Sequence, residues 1–221
     1  MARYGFYLTI LLALVTLVFS GAMANWGQSI DEGANGYARS IFALYFSRDL
    51  GDLAFISGAD GAAMRAELMR IQVLDHYYPF AYGGMAMVFF AALGLSGTRL
   101  AWLGVVLGAL AIGADLAENE VANRILADLD EGADPTERLD AMWGHSWIKW
   151  GFIGAYAAWM GVLMLMQRRR LLAVFPMFAV VGSVAAYVTA ADPAVFNWAY
   201  QLLIPFMLTF PVAAIIFLRE Q

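Results

Sequence analysis

The stretch LAWLGVVLGALAIGADLAEN, Leu100 to Asn119, is apolar over most of its length and becomes polar in its last turn. A helix needs about 20 apolar residues to cross the hydrocarbon core of a membrane. Asp115, Glu118 and Asn119 share one face, because residues three and four apart lie side by side on a helix. The stretch therefore predicts a membrane-spanning helix that carries two carboxylates and an amide where it leaves the lipid.

The composition of the whole chain extends this prediction. The 221 residues are 62% hydrophobic and 14% charged, whereas soluble domains are roughly 45–50% apolar and about 25% charged. The net charge of −5 and the lack of a basic patch exclude a nucleic-acid partner. The absence of cysteine excludes disulfides, thiolate catalysis and cysteine-ligated metal sites. We expect one all-α domain, residues 1–221, that forms a polytopic transmembrane helix bundle.

Six segments are long and apolar enough to span a membrane. The predicted spans are about 5–23, 79–95, 100–116, 147–166, 171–189 and 198–218. The first span also has features of a secretory signal peptide, since Arg3 precedes it and Ala22-Met23-Ala24 follows as a cleavage pattern. That pattern is loose, and we interpret the segment as a retained transmembrane helix.

The distribution of charge predicts the orientation of the spans. Basic residues gather in the short loops and at the termini, which favours the cytoplasmic side for these segments; they are Arg3, Arg99, Arg168, Arg169, Arg170 and Arg219. Every acidic residue except Glu220 then falls outside. We predict a multi-pass protein of the bacterial inner (cytoplasmic) membrane with both termini inside, N-in/C-in, and two outer segments at about 25–78 and 117–146.

Amphipathic helices are expected in both outer segments. In the first, residues 37–50 predict a short interfacial helix, and Asp60 is positioned to cap a helix that begins near Gly61. That helix carries Asp75 within its apolar stripe, and Pro79 predicts a kink where it enters the membrane. In the second, Asp134-Pro135-Thr136-Glu137 predicts a helix start, with the helix continuing into the fourth span.

The unusual polar residues of the chain all lie at the outer membrane face. An ionisable group near hydrocarbon costs at least about 2.5–3.5 kcal/mol unless it is paired or hydrated, so one shared cluster is expected. Asp75, Asp115, Glu118 and Lys149 are the candidates for catalysis, since neighbouring carboxylates suit acid–base chemistry. The expected ligand-binding residues around them are His76, Tyr82, Asn119, His145, Ser146 and Trp150.

Two alternatives remain open for this cluster. It is equally compatible with a structural network that joins the second, third and fourth spans, because polar residues often do this in membrane bundles. A metal site using His76 and His145 with carboxylates is less favoured, since the two histidines lie on separate helices and lack a metal-binding spacing. We therefore predict no metal and no cofactor, and the sequence leaves open whether the protein is an enzyme.

Three short motifs resemble those of an uncharacterised family of small bacterial integral membrane proteins, whose pattern is D-x-x-F-P-x-x-Y-G, then D-x-x-E-N, then [ST]-x-x-K-W. The first motif matches Asp75 to Gly83, with Tyr78 in place of the usual Phe. The second matches Asp115 to Asn119 and the third Ser146 to Trp150. The resemblance covers about residues 59–167, and this family has no assigned activity. It implies that the motif residues act together.

Three classes of function are compatible with the sequence. The first is an outward-facing polar pocket that binds, and in a stronger form modifies, a lipid or another amphipathic small molecule. The second is a proton or solute pathway, which is disfavoured because the inner halves of the spans are apolar. The third is a non-catalytic accessory subunit or assembly factor of a membrane protein complex. The expected partners are membrane lipids and, through the outer segments, a membrane protein.

Overall fold

The computed structural model describes residues 1–27 and 33–220, and for residues 24–27 it describes the backbone alone. The described chain contains eight α-helices. They are α1 (Ala2–Gly27), α2 (Ser40–Tyr45), α3 (Ala62–Asp75), α4 (Tyr78–Leu95), α5 (Ala101–Asp130), α6 (Thr136–Met166), α7 (Arg170–Val188) and α8 (Pro193–Arg219). A short 3₁₀ turn, Ala54–Ile56, lies between α2 and α3.

Six helical stretches of the described chain are long and apolar enough to cross a membrane, which confirms the predicted all-α bundle. They are α1, the stretch Ala62–Leu95 that comprises α3 and α4, and α5, α6, α7 and α8. Around the bundle the order of neighbours is α1, α4, α5, α6, α7 and α8, and α8 returns to contact α1. The helices therefore form a closed ring, which has an interior in which polar side chains are shielded from lipid.

The third span is longer than predicted, and the fourth begins as predicted. The apolar run suggested that the third span ends at residue 116, yet α5 continues to Asp130. Helix α6 begins at Thr136 and continues into the fourth span. Much of the second outer segment is therefore a helical hairpin that extends both spans. Salt bridges stabilise it, from Arg138 to Asp128 and from Arg65 of α3 to Asp130 at 3.2 Å.

The helix start in this hairpin is found, and the helix that carries Asp75 is interrupted just before Pro79. Asp134 accepts a hydrogen bond from the backbone N–H of Thr136 at 2.9 Å. The helix that approaches the membrane breaks between α3 and α4, and Pro79 occupies the first turn of α4, where its missing N–H costs no hydrogen bond. The predicted cap by Asp60 is wrong, because Gly61 precedes α3 with no side-chain capping bond.

The predicted interfacial helix at residues 37–50 is shorter and more deeply packed than expected. Only α2, Ser40–Tyr45, is helical, and Phe42, Leu44 and Tyr45 are buried against protein. Two hydrogen bonds connect the residues before α2 to the α7–α8 loop and to the start of α8. The Tyr37 hydroxyl donates to the Ala191 carbonyl at 2.6 Å, and Asn197 accepts from the Ala38 N–H at 2.9 Å. The first outer segment thus enters the bundle instead of lying on the membrane surface.

The start of α1 and the end of α8 lie at the same end of the bundle, opposite the long helical hairpin. Phe6 stacks on Phe217 with ring centroids 5.5 Å apart, so the N-terminal part of α1 meets the C-terminal part of α8. Arg169, before α7, pairs with Glu220 there. The basic residues that predicted the cytoplasmic side therefore gather at one end.

We predict that this end is cytoplasmic, with Asp52 and Gly132 outside. Because the chain has no cysteine, single cysteines placed at the exposed neighbours Leu50 and Ala133 will report their side of the membrane. A membrane-impermeant thiol reagent should label both in intact cells and should label Ser96→Cys, at the opposite end, only after permeabilisation. Labelling of Ser96→Cys alone in intact cells would reverse the orientation.

Candidate functional site

Lys149 of α6 and two carboxylates of α5 form an ion-paired group inside the bundle. The Lys149 ammonium pairs directly with Glu118 and lies 3.5 Å from Asp115 Oδ1. The three residues are 6%, 0% and 3% exposed, so they are nearly removed from solvent. Removal of one partner from a buried pair leaves an uncompensated charge. This arrangement therefore holds α5 and α6 together at one depth.

Asp75 belongs to the same cluster through a neutral partner. It accepts a hydrogen bond from the Tyr45 hydroxyl at 2.7 Å, and its backbone carbonyl accepts one from Asn119 at 3.0 Å. The expected contact of Lys149 is thus found with Asp115 and Glu118, whereas Asp75 is held by Tyr45. The break between α3 and α4 explains this placement, since Asp75 is the last residue of α3.

Tyr45 is the central residue that the sequence prediction missed. Besides Asp75, its hydroxyl lies 3.2 Å from Asn119 Oδ1 and accepts a hydrogen bond from Gln72 at 3.2 Å. Its ring lies 4.5 Å from the Lys149 ammonium, within the range of a cation–π contact. Burial, followed by the charges of Asp75 and Asp115, raises the pKa of Tyr45 well above its ordinary value. The hydroxyl therefore stays protonated and can donate.

Tyr82 and Ser146 have different roles in the site. The Tyr82 hydroxyl donates to Asp115 Oδ2 at 2.6 Å, which leaves the other oxygen of Asp115 facing Lys149. The Ser146 hydroxyl donates to the backbone carbonyl of Tyr45 at 3.2 Å and is completely buried. Tyr82 thus orients a charged group, whereas Ser146 holds α2 in place.

A cavity of about 160 Å³ adjoins this cluster. Its charged lining residues are Arg39, Asp75, Asp115 and Lys149, and its aromatic lining includes Tyr45, Tyr78, Tyr82, Tyr200 and Trp150. The remaining wall is mainly apolar, with Phe42, Ile153, Leu203 and Met207. Ligand sites typically combine such apolar walls with a few polar groups.

The structure divides the predicted ligand-binding residues into two sets. Tyr82 and Trp150 line the cavity, as expected for contact with a ligand. Asn119 and Ser146 do not line it, because their side chains are used to hold Asp75 and Tyr45. Glu118, a candidate for catalysis, is likewise outside the lining and is taken up by Lys149. These three residues lie outside the cavity lining, and their roles in ligand binding or catalysis stay predictions.

The two histidines are also outside the cavity lining. His76 follows the last residue of α3, is exposed, and packs edge-on against Tyr77 with ring centroids 5.4 Å apart. In the described part of the chain, no group of three or more histidine, aspartate or glutamate side chains is arranged to hold a metal ion.

The fold and the site together define a multi-pass helical membrane protein with a charged, aromatic-lined cavity at one end of its bundle. In comparisons with protein-family models, curated proteins and solved structures, nothing matches this chain. The resemblance drawn from the three motifs therefore remains a prediction. Its motif positions nevertheless meet in space, since Asp75, Asp115 and Lys149 line one cavity.

We predict that Lys149→Met destabilises the protein by about 3–5 kcal/mol, because it strands the buried carboxylates of Asp115 and Glu118. The matched control is Arg124→Met, which removes an exposed cation paired with Glu120 four residues away and should cost less than about 1 kcal/mol. Unfolding in a denaturing detergent titration measures both. Equal effects of the two substitutions would show that the buried ion pair does not stabilise the bundle.

We also predict that Tyr45→Phe costs about 1–3 kcal/mol, since Asp75 and Gln72 lose a buried hydrogen-bond partner. Tyr187→Phe is the control, because Tyr187 is 65% exposed and should tolerate loss of its hydroxyl. Thermal unfolding in detergent compares the two variants. A melting temperature of Tyr45→Phe as high as that of the control would contradict a central role for this hydroxyl.

Proposed function

We propose that the protein binds a lipid or another amphipathic small molecule in the cavity beside Asp75, Asp115 and Lys149. The observation that carries this proposal is a cavity, between apolar helices, whose lining includes four charged side chains. Charged groups at membrane depth are costly and commonly mark a binding or transport site. A cluster that served packing alone would be close-packed and dry.

The size and the lining of the cavity favour the polar head of an amphipath over a whole lipid. A cavity of about 150 Å³ in another protein accommodates a molecule the size of benzene, and the present cavity is similar at about 160 Å³. Its apolar wall includes Ile153, Leu203 and Met207, which extend along α6 and α8 into the bundle. A head group next to an apolar segment is the ligand that this surface complements.

The arrangement also suits proton transfer to or from a bound molecule. Asp75 has one oxygen bound to Tyr45 and is only partly buried, whereas Asp115 and Glu118 are buried. A general base must reach its proton at hydrogen-bond distance. If the bound molecule is modified, Asp75 is therefore a better candidate for the general base than Asp115 or Glu118.

A second candidate function is that of an accessory subunit or assembly factor in a membrane complex. The observation in its favour is the closed network of Glu118, Asn119 and Ser146, whose side chains bind other parts of the chain. A proton or solute pathway has less support. Towards the opposite end of α6, the buried side chains after Lys149 are mostly apolar: Trp150, Ile153, Tyr156, Ala157, Met160, Leu163 and Met164.

The localisation that goes with this proposal is the bacterial inner membrane, with the cavity on the outer side. Its support is that the arginines of the short loops and of the terminal segments gather at one end of the bundle, as is typical of the cytoplasmic side. The cavity lies at the other end, where α2 and the break between α3 and α4 meet. A ligand would then enter from the outer leaflet.

The test of ligand binding compares Asp115→Asn with Glu118→Gln. Asp115 lines the cavity, whereas Glu118 is fully buried against Lys149. We expect the Asp115→Asn variant to retain at least tenfold less lipid than the wild-type protein. It should stay folded, because Lys149 still pairs with Glu118. Glu118→Gln should chiefly lower the melting temperature, and the exposed Glu120→Gln should change neither property.

Native mass spectrometry of the protein purified in mild detergent measures the retained lipid, and thermal unfolding measures stability. If wild-type protein retains no lipid or other small molecule, and both cluster variants lower the melting temperature equally, the binding function is wrong. The accessory-subunit function is then the better one. Co-purification of a defined membrane protein would support it.

A further inference from the structure

The ionisable groups beside the cavity do not neutralise one another fully. Lys149 is shared by Asp115 and Glu118, so these three groups carry one excess negative charge when all are ionised. Asp75 adds another, because its hydrogen-bond partner Tyr45 is neutral. The group of Lys149, Asp115, Glu118 and Asp75 therefore carries a net negative charge when all four are ionised.

A cation without such a partner occurs elsewhere in the lining. Arg39 precedes α2, lines the cavity and is half-buried. Among the described residues, its guanidinium has no salt bridge with an acidic side chain, although the cavity also contains Asp75 and Asp115. Since an arginine fork matches phosphate and carboxylate geometry, this side of the cavity is suited to an anionic group.

We propose that the cavity takes a zwitterion in which a primary ammonium and a phosphate are neighbours, as in a phosphoethanolamine group. The ammonium contacts Asp75, and the phosphate contacts Arg39. This inference rests on the proposed binding function and names the chemistry of the ligand. Both charges of such a molecule meet their opposites within one cavity.

The polar atoms of the lining favour a primary ammonium over a quaternary one. A primary ammonium has three N–H donors that seek acceptors. Besides the carboxylate of Asp75, the hydroxyls of Ser20 and Tyr78, which lie 3.0 Å apart, are acceptors in the lining. A trimethylated ammonium cannot donate to any of them, and its methyl groups enlarge the head in a cavity of about 160 Å³.

The aromatic residues of the lining add to the recognition of a cation. Tyr78, Tyr82 and Tyr200 contribute to the wall near Asp75 and Asp115, and aromatic faces attract ammonium groups. The indole N–H of Trp150, another lining residue, has no hydrogen-bond partner in the described part of the chain; as a donor it can serve only the anionic part of the ligand. A purely anionic head group would instead place its charge against the unneutralised carboxylate of Asp75.

The experiment measures lipid binding to the intact protein in detergent by native mass spectrometry. The probes are phosphatidylethanolamine, phosphatidylcholine and phosphatidylglycerol with identical acyl chains. We expect phosphatidylethanolamine to bind at least tenfold more tightly than either of the others. Equal binding of the three lipids, or a preference for phosphatidylglycerol, overturns the proposed zwitterion while leaving an amphipath-binding site in place. Binding of none of them, with no other retained small molecule, rejects the binding function as well.

Two substitutions test which residue contacts the ammonium and which contacts the phosphate of the ligand. Asp75→Asn should reduce the affinity for phosphatidylethanolamine to that for phosphatidylcholine, because it removes the negative partner of the ammonium. Arg39→Gln should weaken all three phospholipids about tenfold, whereas Arg48→Gln, outside the cavity lining, should leave them unchanged. If Asp75→Asn does not fold, the ranking of lipids by wild-type protein and the effect of Arg39→Gln decide the matter.

A competition experiment distinguishes recognition of the free head group from recognition of the intact lipid. Soluble phosphoethanolamine should displace bound phosphatidylethanolamine if the head group alone is recognised, and phosphocholine should not. Displacement by neither soluble compound, together with a preference for phosphatidylethanolamine, identifies the intact lipid as the ligand. Displacement by phosphocholine as readily as by phosphoethanolamine contradicts recognition of the primary ammonium.

Discussion

The ammonium of Lys149 is buried among apolar helices, and its charge is stabilised there by Glu118 and Asp115. The cost of desolvating these groups is recovered only if α5 and α6 keep one relative depth and one facing. The other polar contacts build on that geometry. Tyr82 of α4 reaches Asp115, so a third helix is positioned by the same charges, and the remaining spans close the ring around them.

Tyr45 connects this membrane-embedded group to the outer part of the chain. Its hydroxyl binds Asp75, its backbone carbonyl binds Ser146, and its ring covers Lys149. A segment that would otherwise lie on the membrane surface is thereby drawn into the bundle. The insertion of α2 also creates the cavity, because Arg39, Phe42 and Tyr45 form part of its wall.

The cavity differs from an ordinary packing defect in the kind of side chains that line it. A void between apolar helices is normally lined by apolar groups and remains dry, whereas this one contains charges of both signs and several tyrosines. Part of the polar cluster, including Glu118 and Ser146, has a structural role, and part of it faces the cavity. One group of residues thus both stabilises the bundle and provides a binding surface.

The six spans, the common end of the arginines and the meeting of Asp75, Asp115 and Lys149 were predictable from the sequence. Apolar length and the cost of a charge in lipid act locally, so they can be evaluated along the chain. The roles of Tyr45 and Arg39 could not be predicted from the sequence, because their partners lie far away in sequence and their contacts depend on the insertion of α2. Nor did helical spacing distinguish Asp115, which lines the cavity, from Glu118, which does not. Only the packing of α4 and α6 against α5 decided which carboxylate is enclosed by protein and which adjoins open space.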